Sequence, residues 1–220
     1  MNKIPVALVD DHALVRLGLK TLINDQADME IVGEAGSAAG AVQMVGQVHP
    51  RVVLMDIRLP GEGGLEAARQ IALRFPETRV VMLTSFADEE LVMSAIRAGA
   101  VGYLLKEVGN EEVLRGIRAA AQGNSVMDAA TTSRLFARVR ASGRKEDEDA
   151  FRDLTEREMG VLLEVAQGKT NGEIAQSLNL SEKTARNYVS TILEKLHLTN
   201  RIELAIYAIK HNLPERMKHE

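Results

Sequence analysis

Five residues able to do chemistry stand at the ends of short apolar runs: Asp10 and Asp11 after IPVALV, Asp56 after VVLM, Thr84 closing RVVMLT, and Lys106 after GYLL. Three carboxylates brought together repel one another, and a hard divalent cation such as Mg2+ is the simplest way to keep them ionised. An ammonium beside that cation is unfavourable unless a further anion arrives. A phosphoryl group supplies it, because its three equatorial oxygens can be shared among the cation, Lys106 and Thr84 while a carboxylate attacks in line. Each residue alone is more often a strand cap or half of a surface ion pair, but five on four successive strand ends form a site.

The elements that must bring them together are legible as alternation. Ile4–Val9, Glu30–Ala35, Val52–Asp56, Arg79–Thr84 and Gly102–Leu105 read as strands, and the stretches near 13–24, 37–48, 64–75, 88–98 and 110–122 as helices. Five successive βα units imply a doubly wound, five-stranded parallel sheet with helices on both faces, and runs such as VVLM and VVML are apolar at every position, as burial on both faces requires. In such sheets ligands bind beyond the carboxyl ends of the strands, where the strand order reverses.

Composition narrows the alternatives. With 220 residues, 45% hydrophobic and 26% charged, the chain has the make-up of one large or two small folded domains. It has no Cys, which excludes disulfides, a thiolate nucleophile and Cys-ligated zinc, and its five His are scattered without metal-ligand spacing. No apolar run reaches membrane-spanning length and no export signal is evident, so a reducing cytoplasm is expected. An aromatic content of 3% with no Trp argues against an electron carrier that sandwiches a flavin. The net charge of −4 lies wholly in residues 1–123, with 16 acidic against 12 basic, whereas residues 151–220 hold 10 of each. Any nucleic-acid contact by the second half must therefore rest on local arrangement rather than on an overall basic field.

After Gly123 the pattern changes. DAATTSRLFARVRA is compatible with one more helix, and SGRKEDEDAFRD has linker composition, placing a boundary near 141–152. From Asp153 to Leu213 helical signals follow closely. Thr155 to Glu158 and Thr170 to Glu173 are capping boxes, Gly168 suits a helix C-terminus, Ser181 can cap a third helix, and Asn200-Arg201-Ile202-Glu203 opens a fourth. Two short helices separated by only a few residues suggest helix-turn-helix. On the third helix Ala185, Val189, Ile192, Leu193 and Leu196 form an apolar stripe, while Lys183, Arg186, Asn187 and Ser190 fall on another face. Arg reads guanine and Asn reads adenine in the major groove, so that second face is a candidate for double-stranded DNA. The last helix carries Ile202, Ala205, Ile206 and Ile209 on one side, enough either to complete a small core or to meet a second copy.

VDD, VVLMDIRLPGxxG, MLTS and AGAxGYLLK, in this order, resemble the receiver domain of two-component response regulators over residues 4–122. The resemblance implies a flavodoxin-like fold in which Asp56 accepts a phosphoryl group from a sensor histidine kinase. It implies Asp11, Asp56 and the backbone carbonyl of Arg58 as Mg2+ ligands, with Asp10 acting through a coordinated water. Lys106 would bind phosphoryl oxygens, and Thr84 and Tyr103 would form a switch pair, the ring rotating into space that the Thr hydroxyl vacates. Leu59 stands where Met is frequent before the Pro, without consequence for this chemistry. A phosphatase with an Asp nucleophile wants a second Asp two residues on, and here that position is Arg58, so a long-lived phosphoenzyme fits better than turnover.

LTxRE, GxTNxEIAxxLxLSxxT and VSxILxKL resemble the LuxR-type helix-turn-helix over residues 154–213, and joined to a receiver they are similar to the NarL/FixJ class. That implies three segments: a receiver over 1–123, a linker with a helix over 124–152, and an all-α four-helix DNA-binding domain over 153–220. It implies a recognition helix over 181–197, with Arg186, Asn187 and Ser190 facing bases and Lys183, Thr184 and Lys195 nearer phosphates. It further implies a homodimer on activation, formed through the last helix. Gly172 stands where a basic residue is common, which weakens the phosphate contacts; Ala185 replaces Val, and Tyr188 replaces a frequent His. The competing reading is a receiver-linked module whose C-terminal helices bind protein, favoured by the balanced charge of residues 151–220.

Overall fold

The apolar runs form one parallel sheet: β1 (Ile4–Val9), β2 (Met29–Ala35), β3 (Val52–Met55), β4 (Arg79–Thr84), β5 (Gly102–Leu105) and β6 (Val126–Met127). Between them run α1 (Ala13–Asn24), α2 (Ala38–Val48), α3 (Gly63–Arg74), α4 (Glu89–Arg97) and α5 (Asn110–Ala121). The coordinates are a computed structural model that describes residues 3–85, 88–127, 135 and 150–213. Strand order is β2-β1-β3-β4-β5-β6, so the order reverses at β1 and β3, whose carboxyl ends carry Asp10, Asp11 and Asp56.

Alternate strand residues divide between two layers. Val6, Leu8, Val52, Leu54, Val81, Leu83 and Leu104 join Ile23 of α1 and Val113, Leu114 and Ile117 of α5 in one buried cluster. The intervening residues, among them Val53, Met55, Val80 and Met82, turn to the opposite layer, where α2 packs on α3 and α3 on α4. Thr84 and Tyr103 belong to this second layer, because Met82 pairs in register with Tyr103 and Thr84 lies two residues further along β4.

Six strands replace the expected five. β6 is only two residues long, and Gly123-Asn124-Ser125 before it conceals any period; its signal is backbone pairing, Val126 and Met127 lying beside Gly102 and Tyr103. The chain divides into units of residues 1–128 and 129–220, so the first extends past the expected boundary at 123. The helix expected over 128–141 lies outside the described residues except for Leu135, and so does residue stretch 141–149 of the expected linker.

The second unit has four helices among its described residues: α6 (Glu156–Ala166), α7 (Asn171–Leu178), α8 (Glu182–Lys195) and α9 (Arg201–Lys210). Both capping boxes form, with Thr155 and Thr170 each accepting from the backbone N–H three residues on while Glu158 and Glu173 reach back. Ser181 caps α8 through Thr184 N–H and Asn200 caps α9 through the N–H groups of Ile202 and Glu203. α7 ends on Asn179, which adopts a left-handed conformation (φ 54°), and α8 starts three residues later. Val161, Leu162 and Val165 of α6, Ile174 of α7, Ala185 and Ile192 of α8 and Leu204 and Ala208 of α9 make the core.

Candidate functional site

Backbone hydrogen bonds bring the strand ends into line. Asp56 N–H donates to Val9 O at 2.8 Å, Asp10 N–H to Ala35 O at 3.1 Å, and Lys106 N–H to Thr84 O at 2.7 Å. The loop after β3 is drawn in by α3: Gly64 N–H donates to Ile57 O at 2.9 Å, and a Cβ on Gly64 would lie 2.0 Å from the carbonyl oxygen of Asp56. Only glycine permits that approach. This accounts for the glycine that follows Asp56 at a distance of eight residues.

Asp10, Asp56 and Thr84 are buried, Asp11 is exposed, and the Lys106 side chain reaches across the rim. Lys106 Nζ donates to Asp10 Oδ2 and to Asp56 Oδ2, both at 2.6 Å, so one ammonium bridges two buried carboxylates. Burial opposes the charge on Lys106, but the two carboxylates outweigh it and hold its pKa above the ordinary value. The second oxygen of Asp56 accepts from Arg58 N–H at 3.2 Å. The second oxygen of Asp10 accepts from His12 N–H at 2.8 Å. Ligand atoms of Asp10, Asp11, His12 and Asp56 all lie within 4.8 Å of one another. Carboxylate oxygens grouped this tightly fit a hard divalent cation, and the ammonium beside them fits an anion bound next to it.

The Tyr103 side chain is buried on the same layer as Thr84. Burial, with a smaller contribution from the charge of Asp88, pushes its phenol pKa up to about 12.

On α8, Lys183, Asn187 and Ser190 are exposed at i, i+4 and i+7, while Ala185, Val189 and Ile192 are buried opposite. Arg186 is half-buried and its Nη2 lies 3.3 Å from Glu182 Oε1. Thr184 is half-buried, its hydroxyl 2.7 Å from that of Ser181 at the helix start. Lys195 is taken by the fold: Nζ donates to Glu158 Oε2 at 2.7 Å, linking the end of α8 to the start of α6. On α9, Ile202, Ala205, Ile206 and Ile209 are each at most 9% exposed, and α9 packs against α6.

Sequence reasoning missed three residues. His12 sits within the acidic cluster, and its signal was adjacency to Asp10-Asp11 rather than any spacing to another His. Glu158 was read as a cap alone. Arg201 is buried at the start of α9, donating to Asn171 Oδ1 at 2.7 Å and to the carbonyl of Lys169, which ties α9 to the start of α7. Burial pulls its pKa down to about 10, against the opposing charge of Glu173.

Comparison with known proteins agrees with both halves. Residues 6–118 match the response regulator receiver domain, and residues 152–208 match the bacterial regulatory proteins of the luxR family. The chain is 40% identical to the transcriptional regulatory protein YxjL of Bacillus subtilis over 96% of this chain and 98% of that one. It is 38% identical to the DNA-binding transcriptional activator DevR/DosR of Mycobacterium tuberculosis, over 93% and 94%. Among solved structures, the response regulator ChrA of a heme-sensing two-component system shares 29% identity with a TM-score of 0.53, over 97% of this chain and all of that one. A sheet edge built around bridged carboxylates, followed by a capped helix-turn-helix and matched over nearly full length by such relatives, places the chain among the two-component response regulators with a receiver and a LuxR-type DNA-binding domain.

Proposed function

We propose that Asp56 accepts a phosphoryl group from a sensor histidine kinase and that this controls binding of residues 181–197 to double-stranded DNA. The observation that carries the reading is Lys106 shared between Asp10 and Asp56 at the strand-order reversal. In the transfer, a carboxylate oxygen of Asp56 bonds to phosphorus as the bond from phosphorus to the kinase imidazole breaks, leaving that nitrogen its electron pair. Lys106, freed from Asp56, then meets the phosphoryl oxygens, and the Thr84 hydroxyl closes on the same group. Mg2+ supplies charge neutralisation to this chemistry, and Asp11, Asp56 and the Arg58 carbonyl are the residues to hold it, with Asp10 behind a water.

Leu14 and Leu17 support the kinase part: they stand 82% and 59% exposed on α1, which begins directly after His12. An apolar patch beside a reacting carboxylate suits a helix of the donor protein. On DNA, Lys183, Asn187 and Ser190 are the residues free to reach the groove. A single recognition helix contacts a short half-site, so pairing of two copies on activation gives usable affinity. The stripe of Ile202, Ala205, Ile206 and Ile209 on α9 is the surface the resemblance assigns to that pairing. No helix among the described residues is long and apolar enough to cross a membrane, and we place the protein in the cytoplasm with its DNA.

Labelling by acetyl phosphate with Mg2+ tests the acceptor. Asp56→Asn abolishes it if Asp56 is the nucleophile, and retained, acid-stable labelling would assign the phosphoryl group elsewhere.

A further inference from the structure

Asp11 is the most exposed carboxylate of the site, resting beside the exposed ring of His12, and α1 begins after His12 without a side-chain cap. The direction of its carboxylate therefore depends on the backbone to either side, and both sides are held. The N–H that follows Asp11, that of His12, donates to Asp10 Oδ1 at 2.8 Å. The carbonyl that precedes it, that of Asp10, lies one residue beyond the last pair of the β1–β2 ladder, Val9 with Ala35, and accepts from Arg16 Nη1 at 2.5 Å. Arg16 is itself fixed. Its side chain is 21% exposed, and its Nε lies 3.7 Å from Glu34 Oε2 on β2, whose other oxygen accepts from Lys20 Nζ at 2.6 Å. The backbone N–H of Arg16 donates to His12 O at 3.2 Å and closes the first turn of α1. One planar guanidinium thus holds a carbonyl and a carboxylate together, in a direction that an ammonium on a flexible stem does not fix.

We propose that Arg16 is a positioning residue of the phosphoacceptor site: it pins the peptide between Asp10 and Asp11 so that the Asp11 carboxylate is ready for a divalent cation. The inference rests on the phosphoacceptor reading for the use to which the cation is put, and not for its binding. Arg16 touches neither the cation nor the phosphoryl group in this role. It acts through the main chain, and Glu34 keeps it from turning away. Charge alone predicts the reverse effect, because a guanidinium near a cation site repels the ion and its removal should tighten binding. The two roles therefore differ in sign.

Mn2+ suits carboxylate oxygens as Mg2+ does, and the paramagnetic resonance of the free ion reports how much is bound. In titrations of the full-length protein, Arg16→Met should bind Mn2+ roughly tenfold more weakly than wild type, the loss expected when an outer partner of a metal site is removed. Arg16→Lys, which keeps a donor without the fork, should fall between the two. Labelling by acetyl phosphate should need correspondingly more Mg2+ in Arg16→Met and yet reach the wild-type rate once Mg2+ saturates, which a generally loosened domain would not do. Unchanged or tighter Mn2+ binding by Arg16→Met, or a labelling rate that stays low at saturation, would overturn the assignment and leave Arg16 as an ion pair between α1 and β2. Failure of wild type to label at any Mg2+ concentration removes the phosphoacceptor reading instead, and the Mn2+ titrations still decide the role of Arg16.

Discussion

Lys195 and Lys183 lie on the same helix, and their replacements should fail in opposite ways. Lys195 Nζ is 2.7 Å from Glu158 Oε2, with the Glu158 side chain 5% exposed and that of Lys195 33%. Lys195→Ala leaves a buried carboxylate held only by the N–H and hydroxyl of Thr155. A hydrogen bond to a charged group contributes about 1.5–3 kcal/mol, and the partial exposure of Lys195 keeps the loss below the 3–5 kcal/mol of a fully buried pair. For a domain of this size about 1 kcal/mol corresponds to 4–8 °C, so the second unit of the full-length protein should melt roughly 6–24 °C lower. Its DNA binding, measured by fluorescence anisotropy at a temperature where it is folded, should keep the wild-type salt dependence. Lys183→Ala should do the reverse: melting unchanged, and a plot of log affinity against log salt shallower by about 0.9, the loss of one phosphate contact. A pH series adds a sign. Burial raises the Glu158 pKa, but Lys195 and Thr155 outweigh it and hold it below the usual 4.5. The stabilisation is therefore full above 4.5 and lost as pH falls through the folded-state value, and wild type and Lys195→Ala should converge there. A Lys195→Ala protein that melts like wild type but shows the shallower salt slope would refute the structural role and return Lys195 to the DNA surface.

Tyr103→Phe should flatten the alkaline instability of the first unit: a phenol held at about 12 against an ordinary 10 contributes stability that is lost as pH rises from 10 to 12. Between pH 9 and 11 that is about 1 kcal/mol in urea unfolding, and equal slopes in both proteins would exclude it. Arg201→Met should lower the melting of the second unit by about 4–24 °C, because two acceptors lose their donor at about 1–3 kcal/mol in all while the cost of the buried charge is relieved. Unchanged melting would mean that Asn171 and Lys169 find other partners. Thr84→Ala should be labelled on Asp56 yet show a smaller rise in DNA affinity than wild type, and an equal rise would break the link between Thr84 and the output.

The strand ends were legible because each apolar run stops at a polar residue, and β-α alternation alone then gathers Asp10, Asp11, Asp56, Thr84 and Lys106 on one edge. Helix starts were legible for a local reason too: Thr155 and Thr170 meet their Glu partners three residues on. What escaped is long-range. The Lys106 bridge joins residues 50 and 96 positions apart, and Lys195 finds Glu158 at 37, distances at which side-chain type carries no pairing information. The stripe on α9 shows the same limit from another side. A hydrophobic face announces that it will be covered, and only the structure shows that α6 packs against α9.

The bridge also explains how a small chemical change can have two discrete outcomes. Asp56 Oδ2 cannot both accept from Lys106 as it does now and become the oxygen bonded to phosphorus. Phosphorylation would move negative charge from the carboxylate to the phosphoryl oxygens, further out along the rim, and Lys106 would follow it. Asp10 would then lose a charge-assisted hydrogen bond, which a neighbouring cation can replace. The backbone N–H of Lys106 is bonded at 2.7 Å to the carbonyl of Thr84, the residue whose hydroxyl would approach the same phosphoryl group. A phosphoryl group held by both residues would draw on β4 and β5 at one point, and their register keeps Tyr103 beside Met82 in the layer that α4 covers. A rearrangement at the phosphoacceptor edge thus has a direct route to the α4 and β5 surface, and it needs no element that the resting site does not already contain.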